Sequence, residues 1–286
     1  MCTVFFRVRA CLDAALVLAA VRDEFLDRPW APPRRHWPAP YLIGGLDLVS
    51  GGTWLAVRTD RPAVAVLVNG PGEASEVPGS RGVLPLRMLD HGEPTQDDVA
   101  GLPGFHLLHA EPGRARVISW DGRTLRAVDV PEGDHMLTYG GLNALDHPRV
   151  RRFLPKLAGL ADDAWPTLLE DPEPLPAAPQ ALLVNRRELG KPYGTTSASL
   201  ISISRNALTY DFTSQPHNPG AWHRVTDRSP SHPEGEPPCC NRHLPPGSAR
   251  PPCPPGWAPS RPGQPAPPNS SAAEARSSPP WTTRVA

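Results

Sequence analysis

After the segment "GAWHRV" the chain changes character. From Thr226 to Ala286 it reads "TDRSPSHPEGEPPCCNRHLPPGSARPPCPPGWAPSRPGQPAPPNSSAAEARSSPPWTTRVA", dense in Pro, Ser and Gly with hardly a branched aliphatic side chain. Such a stretch cannot bury enough apolar surface to offset the entropy of ordering it. Residues 226–286 therefore read as a Pro-rich disordered tail, whose specific use would be as an extended ligand for proline-recognition domains. The folding information is expected in residues 1–225, long enough for a substantial core.

Within those residues the apolar pattern is mixed. Thr3 to Val8, Leu16 to Ala20, Trp54 to Val57 and Ala63 to Val68 carry the short apolar runs of buried strands. "RARVISWDGRTLRAVDV" sets Asp121-Gly122 between two apolar-rich runs, and "ASLISISRNALTYDF" turns at Arg205-Asn206, both hairpin signatures of antiparallel sheets. Helical spacing is clearest from Pro148 through Ala161, where Val150, Phe153, Leu154, Leu157 and Leu160 recur every three or four residues. "TQDDVAGL" predicts a shorter helix capped by Thr95. Hairpins with intervening helices imply an α+β fold, strands stacked in sheets with helices outside.

Charge and motif content exclude several functions. With 29 basic and 29 acidic residues among 286, the chain lacks the basic excess that nucleic-acid binding favours. No apolar stretch reaches the roughly 20 residues of a membrane-spanning helix. The run from Ala14 to Val21 is short for a signal peptide and begins beside Asp13, and the five cysteines form no disulfide framework, so a cytoplasmic, reducing location is expected. "GGTWLAV" lacks the phosphate-loop pattern, and neither GxSxG nor HExxH occurs. "CCNRH" does not match zinc spacing, so no metal and no cofactor are expected.

One position carries intrinsic chemistry. Cys2 follows the initiating methionine directly, and loss of Met1 would give it both a thiol and an α-amine. Their ordinary pKa values, near 8.5 and about 7.7–8.0, are matched for proton exchange, so such a residue can activate its own side chain. "VRDEF" is the second cluster: Arg22, Asp23 and Glu24 follow the apolar run, an arginine being able to depress a thiol pKa and a carboxylate to orient an amine.

The ordered blocks "MCTVFF", "LVLAAVRDEFLDRP", "GGTWLAV", "VLVNGPG", "SRGVLPL", "GGLNALDHP" and "KPYGTTSASLI" resemble the NRDE family, also called the Transport and Golgi organisation protein 2 family, over roughly Met1 to Val225. That family is similar to N-terminal-nucleophile hydrolases, which implies a four-layered αββα sandwich and a distant likeness to choloylglycine and penicillin V amidases. The resemblance puts Cys2 in the nucleophile's position, with Arg22 and Asp23 in the motif that names the family; Val21 stands where that motif has asparagine. It implies an oxyanion donor at Asn143, and Thr196 holds a place where many relatives have arginine. Asn69, at a strand end, Trp54 and Glu24 are the candidate pocket residues.

The implied activity is cysteine-nucleophile hydrolysis of a linear, non-peptide or small-molecule amide. The family's association with secretory organisation, lipid handling and haem movement sets a rival beside it, a non-catalytic protein that holds a hydrophobic cargo such as haem or an acyl ligand.

Overall fold

The computed structural model describes residues 2–10, 16–72, 79–170 and 176–228. Cys11, Cys239, Cys240, Cys253 and nearly all of the Pro-rich tail lie outside the described residues, as does the "CCNRH" motif.

Two antiparallel sheets dominate. The first has eight strands: β1 (Thr3–Val8), β2 (Leu16–Phe25), β10 (Gly133–Thr138), β11 (Gly141–Leu142), β12 (Asn185–Glu188), β13 (Lys191–Ile203), β14 (Leu208–Thr213) and β15 (His223–Arg228). Its order is β11-β10-β1-β2-β13-β14-β15, with β12 also paired to β13. The second is a seven-stranded meander in chain order, β3 (Trp30–Arg34), β4 (Leu42–Asp47), β5 (Leu55–Arg58), β6 (Ala63–Asn69), β7 (Phe105–Glu111), β8 (Arg114–Trp120) and β9 (Leu125–Val130). Both expected hairpins form: β8 and β9 turn at Asp121-Gly122, and β13 and β14 at Arg205-Asn206. The last strand crosses the expected domain boundary by three residues, to Arg228.

Alternation along the strands decides which face each side chain joins. Val4, Phe6 and Val8 of β1 and Leu16, Leu18 and Ala20 of β2 meet Leu55, Val57, Val64, Val66 and Leu108 of the second sheet in one buried layer. The intervening Phe5, Val17 and Val21 point the other way, onto Val150, Phe153 and Leu157 of α3 (Pro148–Leu157) and onto Trp165. Across the second sheet, Ala65, Leu67, Leu107 and Ile118 pack against Leu84, Met88 and Leu89 of α1 (Leu84–His91) and Val99 of α2 (Gln96–Val99). Helix, sheet, sheet, helix is the α+β sandwich expected. Sheets covered on both faces explain why the strands read as apolar runs.

Three local expectations are refined. Thr95 caps α2 in a reciprocal box with Asp98, as the sequence implies. The helix from Pro148 stops at Leu157, short of Ala161: Ala158 leaves the helical region and Gly159 follows at φ +80°. The strand expected at Leu16–Ala20 continues to Phe25, so "VRDEF" belongs to the sheet interior rather than to its edge.

Candidate functional site

Because Arg22, Asp23 and Glu24 are consecutive residues of β2, their side chains divide between its two faces. Alternation sends Arg22 and Glu24 toward the inter-sheet layer and Asp23 toward α3. Their partners differ accordingly.

On the α3 side Asp23 is almost fully enclosed. Arg149 Nη2 donates to its Oδ2 at 2.7 Å, and Thr195 Oγ1 donates to its Oδ1 at 2.7 Å. Arg149 Nη1 also donates to Thr3 Oγ1 at 2.6 Å, so one guanidinium ties the residue after Cys2 to β2. Tyr193 donates its hydroxyl to the Asp23 carbonyl at 3.1 Å. Arg149 is placed by its helix: Pro148 opens α3, and the His147 ring accepts from the Arg149 N–H at 3.3 Å. The pair is dry, with side chains 5% and 1% exposed.

On the inter-sheet side Thr3 pairs with Val21, and continuing that antiparallel register by one residue sets Cys2 across from Arg22. Ser197 of β13 lies across from Arg22 on the other flank. A bulge between Thr195 and Ser197 inserts Thr196, whose Oγ1 accepts from Arg22 Nη1 at 2.9 Å. The position where relatives have arginine thus supports Arg22 instead. The Arg22 guanidinium lies over the Trp54 ring at 4.3 Å and near Trp30 at 5.9 Å. Glu24 and Asp47 stand 3.7 and 3.8 Å from its Nη2, close enough to balance charge but too far for good hydrogen bonds. Burial lowers the Arg22 pKa. The Ser197 Oγ is buried and has no hydrogen-bond partner among the described residues.

Cys2 itself is half-buried and packs against the inter-sheet core. Burial pushes its thiol pKa up and the Asp23 carboxylate adds to the rise, while the positive N-terminus and, less strongly, the Arg22 charge oppose it. The sulfur is therefore a protonated thiol near neutrality, and any attack by it requires proton transfer at that moment.

A second guanidinium, not singled out by the sequence, joins this end of the sandwich. Arg81 opens a single 3-10 turn (Arg81–Val83) and donates Nη1 to the Gly104 carbonyl at 2.7 Å. Its neighbour Gly82 accepts from Thr53 N at 2.8 Å, directly before Trp54. A Cβ on Gly52 would come within 2.4 Å of the Gly82 carbonyl carbon, so the turn seats against β5's approach because residue 52 is glycine. Burial lowers the Arg81 pKa, opposed by the charges of Cys2, Glu24 and Tyr139. His106 of β7 completes the bridge: its Nε2 lies 3.2 Å from the Tyr139 carbonyl and its Nδ1 2.7 Å from Ser119 Oγ. A carbonyl only accepts, so Nε2 carries the proton and Nδ1 accepts from Ser119.

Asn143 is the main correction. Its Oδ1 accepts from Met136 N at 2.9 Å and its Nδ2 is 2.9 Å from His135 Nδ1. Met136 pairs with Phe5, three residues from Cys2, or about 10 Å along the strand at ~3.3 Å per residue. Asn143 follows β11 directly and adopts φ +51°, a left-handed conformation that asparagine tolerates. Its side-chain amide is engaged on the β10 backbone and His135 rather than beside the sulfur. Asn69 is exposed at the end of β6. Glu24 and Trp54 do join Arg22. The cavity bounded by Phe5, Ala19, Val21, Trp165, Leu168 and Ala198 lies on the α3 side, and none of the side chains around Cys2 lines it. No cluster of three His, Cys, Asp or Glu suited to a metal occurs among the described residues.

Residues 1–138 match the family model described as Transport and Golgi organisation 2. The resemblance read from the sequence is borne out over that segment, which ends with β10 and contains Cys2, Arg22, Asp23, Trp54, Asn69, Arg81 and His106. Asn143, Arg149 and Thr195 lie beyond it. No curated protein matches the chain. Among solved structures, penicillin V acylase from Agrobacterium tumefaciens is similar at 12% identity and a TM-score of 0.38, covering 74% of this chain and 82% of that one. Among the described residues no helix is long and apolar enough to cross a membrane.

Proposed function

We propose that this Transport and Golgi organisation 2 relative is a cytoplasmic amidohydrolase with Cys2 as nucleophile, acting on a small-molecule amide after removal of Met1. The observation that carries the reading is the half-buried Cys2 thiol at the head of β1, facing the Arg22 guanidinium across the strand pair. The raised thiol pKa calls for a base at the moment of attack, and the α-amine of Cys2 supplies one. As that amine takes the thiol proton, sulfur bonds to the carbonyl carbon. The C–N bond then breaks, and the leaving amine receives the proton. Water, deprotonated by the same α-amine, attacks the thioester; the C–S bond breaks, the acid departs and the proton returns to sulfur. The sum is amide plus water giving acid plus amine.

Arg22, held by Thr196 and stacked on Trp54, supplies the fixed positive charge for the developing oxyanion in place of Asn143. Arg149, Asp23 and Thr195 are positioning residues for the strand that carries the thiol.

Intact mass and turnover on a panel of N-acyl amines test this. The expected result is a chain lacking Met1, with hydrolysis that Cys2→Ala abolishes while the fold is retained. Retained Met1, or hydrolysis persisting in Cys2→Ala, overturns the mechanism. Absent turnover combined with saturable binding of haem or acyl ligands would favour the cargo-holding alternative.

A further inference from the structure

Arg81 stands out among the cations of this molecule. Arg7, Arg28, Arg58, Arg116, Arg149 and Arg224 each contact a carboxylate at 3.2 Å or less. Arg81 is half-buried, yet its one hydrogen bond is to a carbonyl, and no carboxylate among the described residues pairs with it. Withdrawing a guanidinium from water without an anion is unfavourable, and folds retain such groups where a ligand supplies the missing charge.

Its placement says which ligand. The 3-10 turn that carries Arg81 rests on Thr53, next to the Trp54 that stacks on Arg22. Its side chain reaches Gly104, which accepts from Gly70 N at 3.0 Å beside His106, and His106 reaches the Tyr139 carbonyl. Tyr139 follows β10, whose register against β1 (Val4 with Leu137) brings it level with Cys2. These contacts place Arg81 on the same end of the sheets as Cys2, within electrostatic range of the thiol, while Arg22 stands across the strand pair from it. Arg22 already has Glu24, Asp47 and Thr196; Arg81 feels the Glu24 charge only from beyond ion-pair distance.

We propose that Arg81 is the anion-binding residue of the Cys2 site and that the substrate is an amide carrying a carboxylate or similarly small anionic group close to the scissile bond, as in an N-acyl amino acid. This rests on the reading of Cys2 as nucleophile. A planar guanidinium accepts such a group through two parallel hydrogen bonds, which fixes orientation as well as charge. The bulk of the acyl part is left to the other side of the carbonyl.

Two alkylating reagents that differ only in this charge test it on the full-length protein. Iodoacetate carries a carboxylate and iodoacetamide a neutral amide, and each transfers its CH2 group to sulfur with loss of iodide. Peptide mass spectrometry follows Cys2 alone. The expected result is an iodoacetate-to-iodoacetamide rate ratio at Cys2 well above that of the same residue in the urea-unfolded chain. In Arg81→Gln that ratio should fall about tenfold, the size of one charge-assisted hydrogen bond, while the iodoacetamide rate stays within about twofold and Arg81→Lys recovers part of the loss. An unchanged ratio in Arg81→Gln, or equal losses with both reagents, overturns the proposal, because Arg81 would then act on the thiol rather than on the ligand. If Arg81→Gln fails to fold, the wild-type ratio decides: a value equal to that of the unfolded chain, or one insensitive to high salt, overturns the proposal. Neither outcome depends on turnover. A strong iodoacetate preference in a chain that hydrolyses no amide leaves the anion site standing and removes the hydrolase reading. Hydrolysis with no preference for anionic amides does the reverse.

Discussion

Asp23 and Arg22 are adjacent in one strand and live in opposite worlds. On the α3 side, Asp23 has a dry ion pair with Arg149 and a hydroxyl from Thr195, and Arg149 has Thr3 as well. On the inter-sheet side, among the described residues, Arg22 has carboxylates only at 3.7 and 3.8 Å, Ser197 keeps an unpartnered hydroxyl, and Arg81 has a single carbonyl. A saturated buried network holds a shape; an undersupplied one leaves interactions for a ligand to complete. The first cluster is the scaffold of the second.

The comparison breaks most completely if Cys2→Ala leaves amide turnover intact; a loss to background with a thermal midpoint near wild type is expected. Next in size, Arg149→Met should destabilise the fold by about 3–5 kcal/mol, since it strands the buried Asp23 charge. Urea denaturation reads this, and a loss under ~1 kcal/mol would mean that the α3-side cluster is not structural. Arg22→Met removes a cation that lacks a tight carboxylate partner, so it should lower kcat by at least about tenfold, or ~1.4 kcal/mol, while destabilising less than Arg149→Met does. Equal stability losses in the two variants would erase the distinction between the faces.

Gly45→Ala is a smaller test, because a Cβ there would come within 2.3 Å of the Trp54 ring that carries Arg22. Overpacking of this kind costs about 1–3 kcal/mol, and a changed tryptophan emission should accompany it.

The pH dependence offers the finest discrimination. Burial holds the His106 pKa below its ordinary value. The unfolded chain therefore binds more protons than the folded one as pH falls below about 6.5, and acidification destabilises. His106→Gln should flatten part of the decline in urea midpoint between pH ~7.5 and ~5.5. The thiol moves in the other direction: with its pKa raised, alkylation of Cys2 by iodoacetamide should keep accelerating above pH ~9, where an ordinary thiol near 8.5 has levelled off.

Much of the fold was legible because it rests on local rules. Asp121-Gly122 marks its hairpin, Thr95 and Asp98 their capping box, and Val150, Phe153 and Leu157 their helical stripe. The length of β2 was harder to read, because charged residues at the end of an apolar run look like a strand terminus when their partners are out of sight. Those partners, Arg149 and Thr195, come from 126 and 172 residues away. Asn143 misled for a related reason. An asparagine before a helix serves equally as a donor to substrate or as a left-handed turn, and only the hydrogen bonds to Met136 and His135 separate the two. Arg81 carried a usable signal, an arginine inside the "SRGVLPL" block, but its proximity to Cys2 depends on the contact between Gly52 and Gly82.

That contact sets how closely the Arg81 turn can approach the chain that leads to Trp54. Gly52 and Gly82 meet backbone to backbone, and a Cβ on Gly52 would come within 2.4 Å of the Gly82 carbonyl carbon, whereas one on Gly82 would stay 3.2 Å from the Gly52 Cα. A methyl group at position 52 must therefore push the Arg81 turn away, while one at position 82 asks the neighbouring backbone to give by only a few tenths of an ångström. Gly52→Ala should accordingly displace Arg81 relative to Trp54 and change the charge preference of alkylation at Cys2 more than Gly82→Ala does.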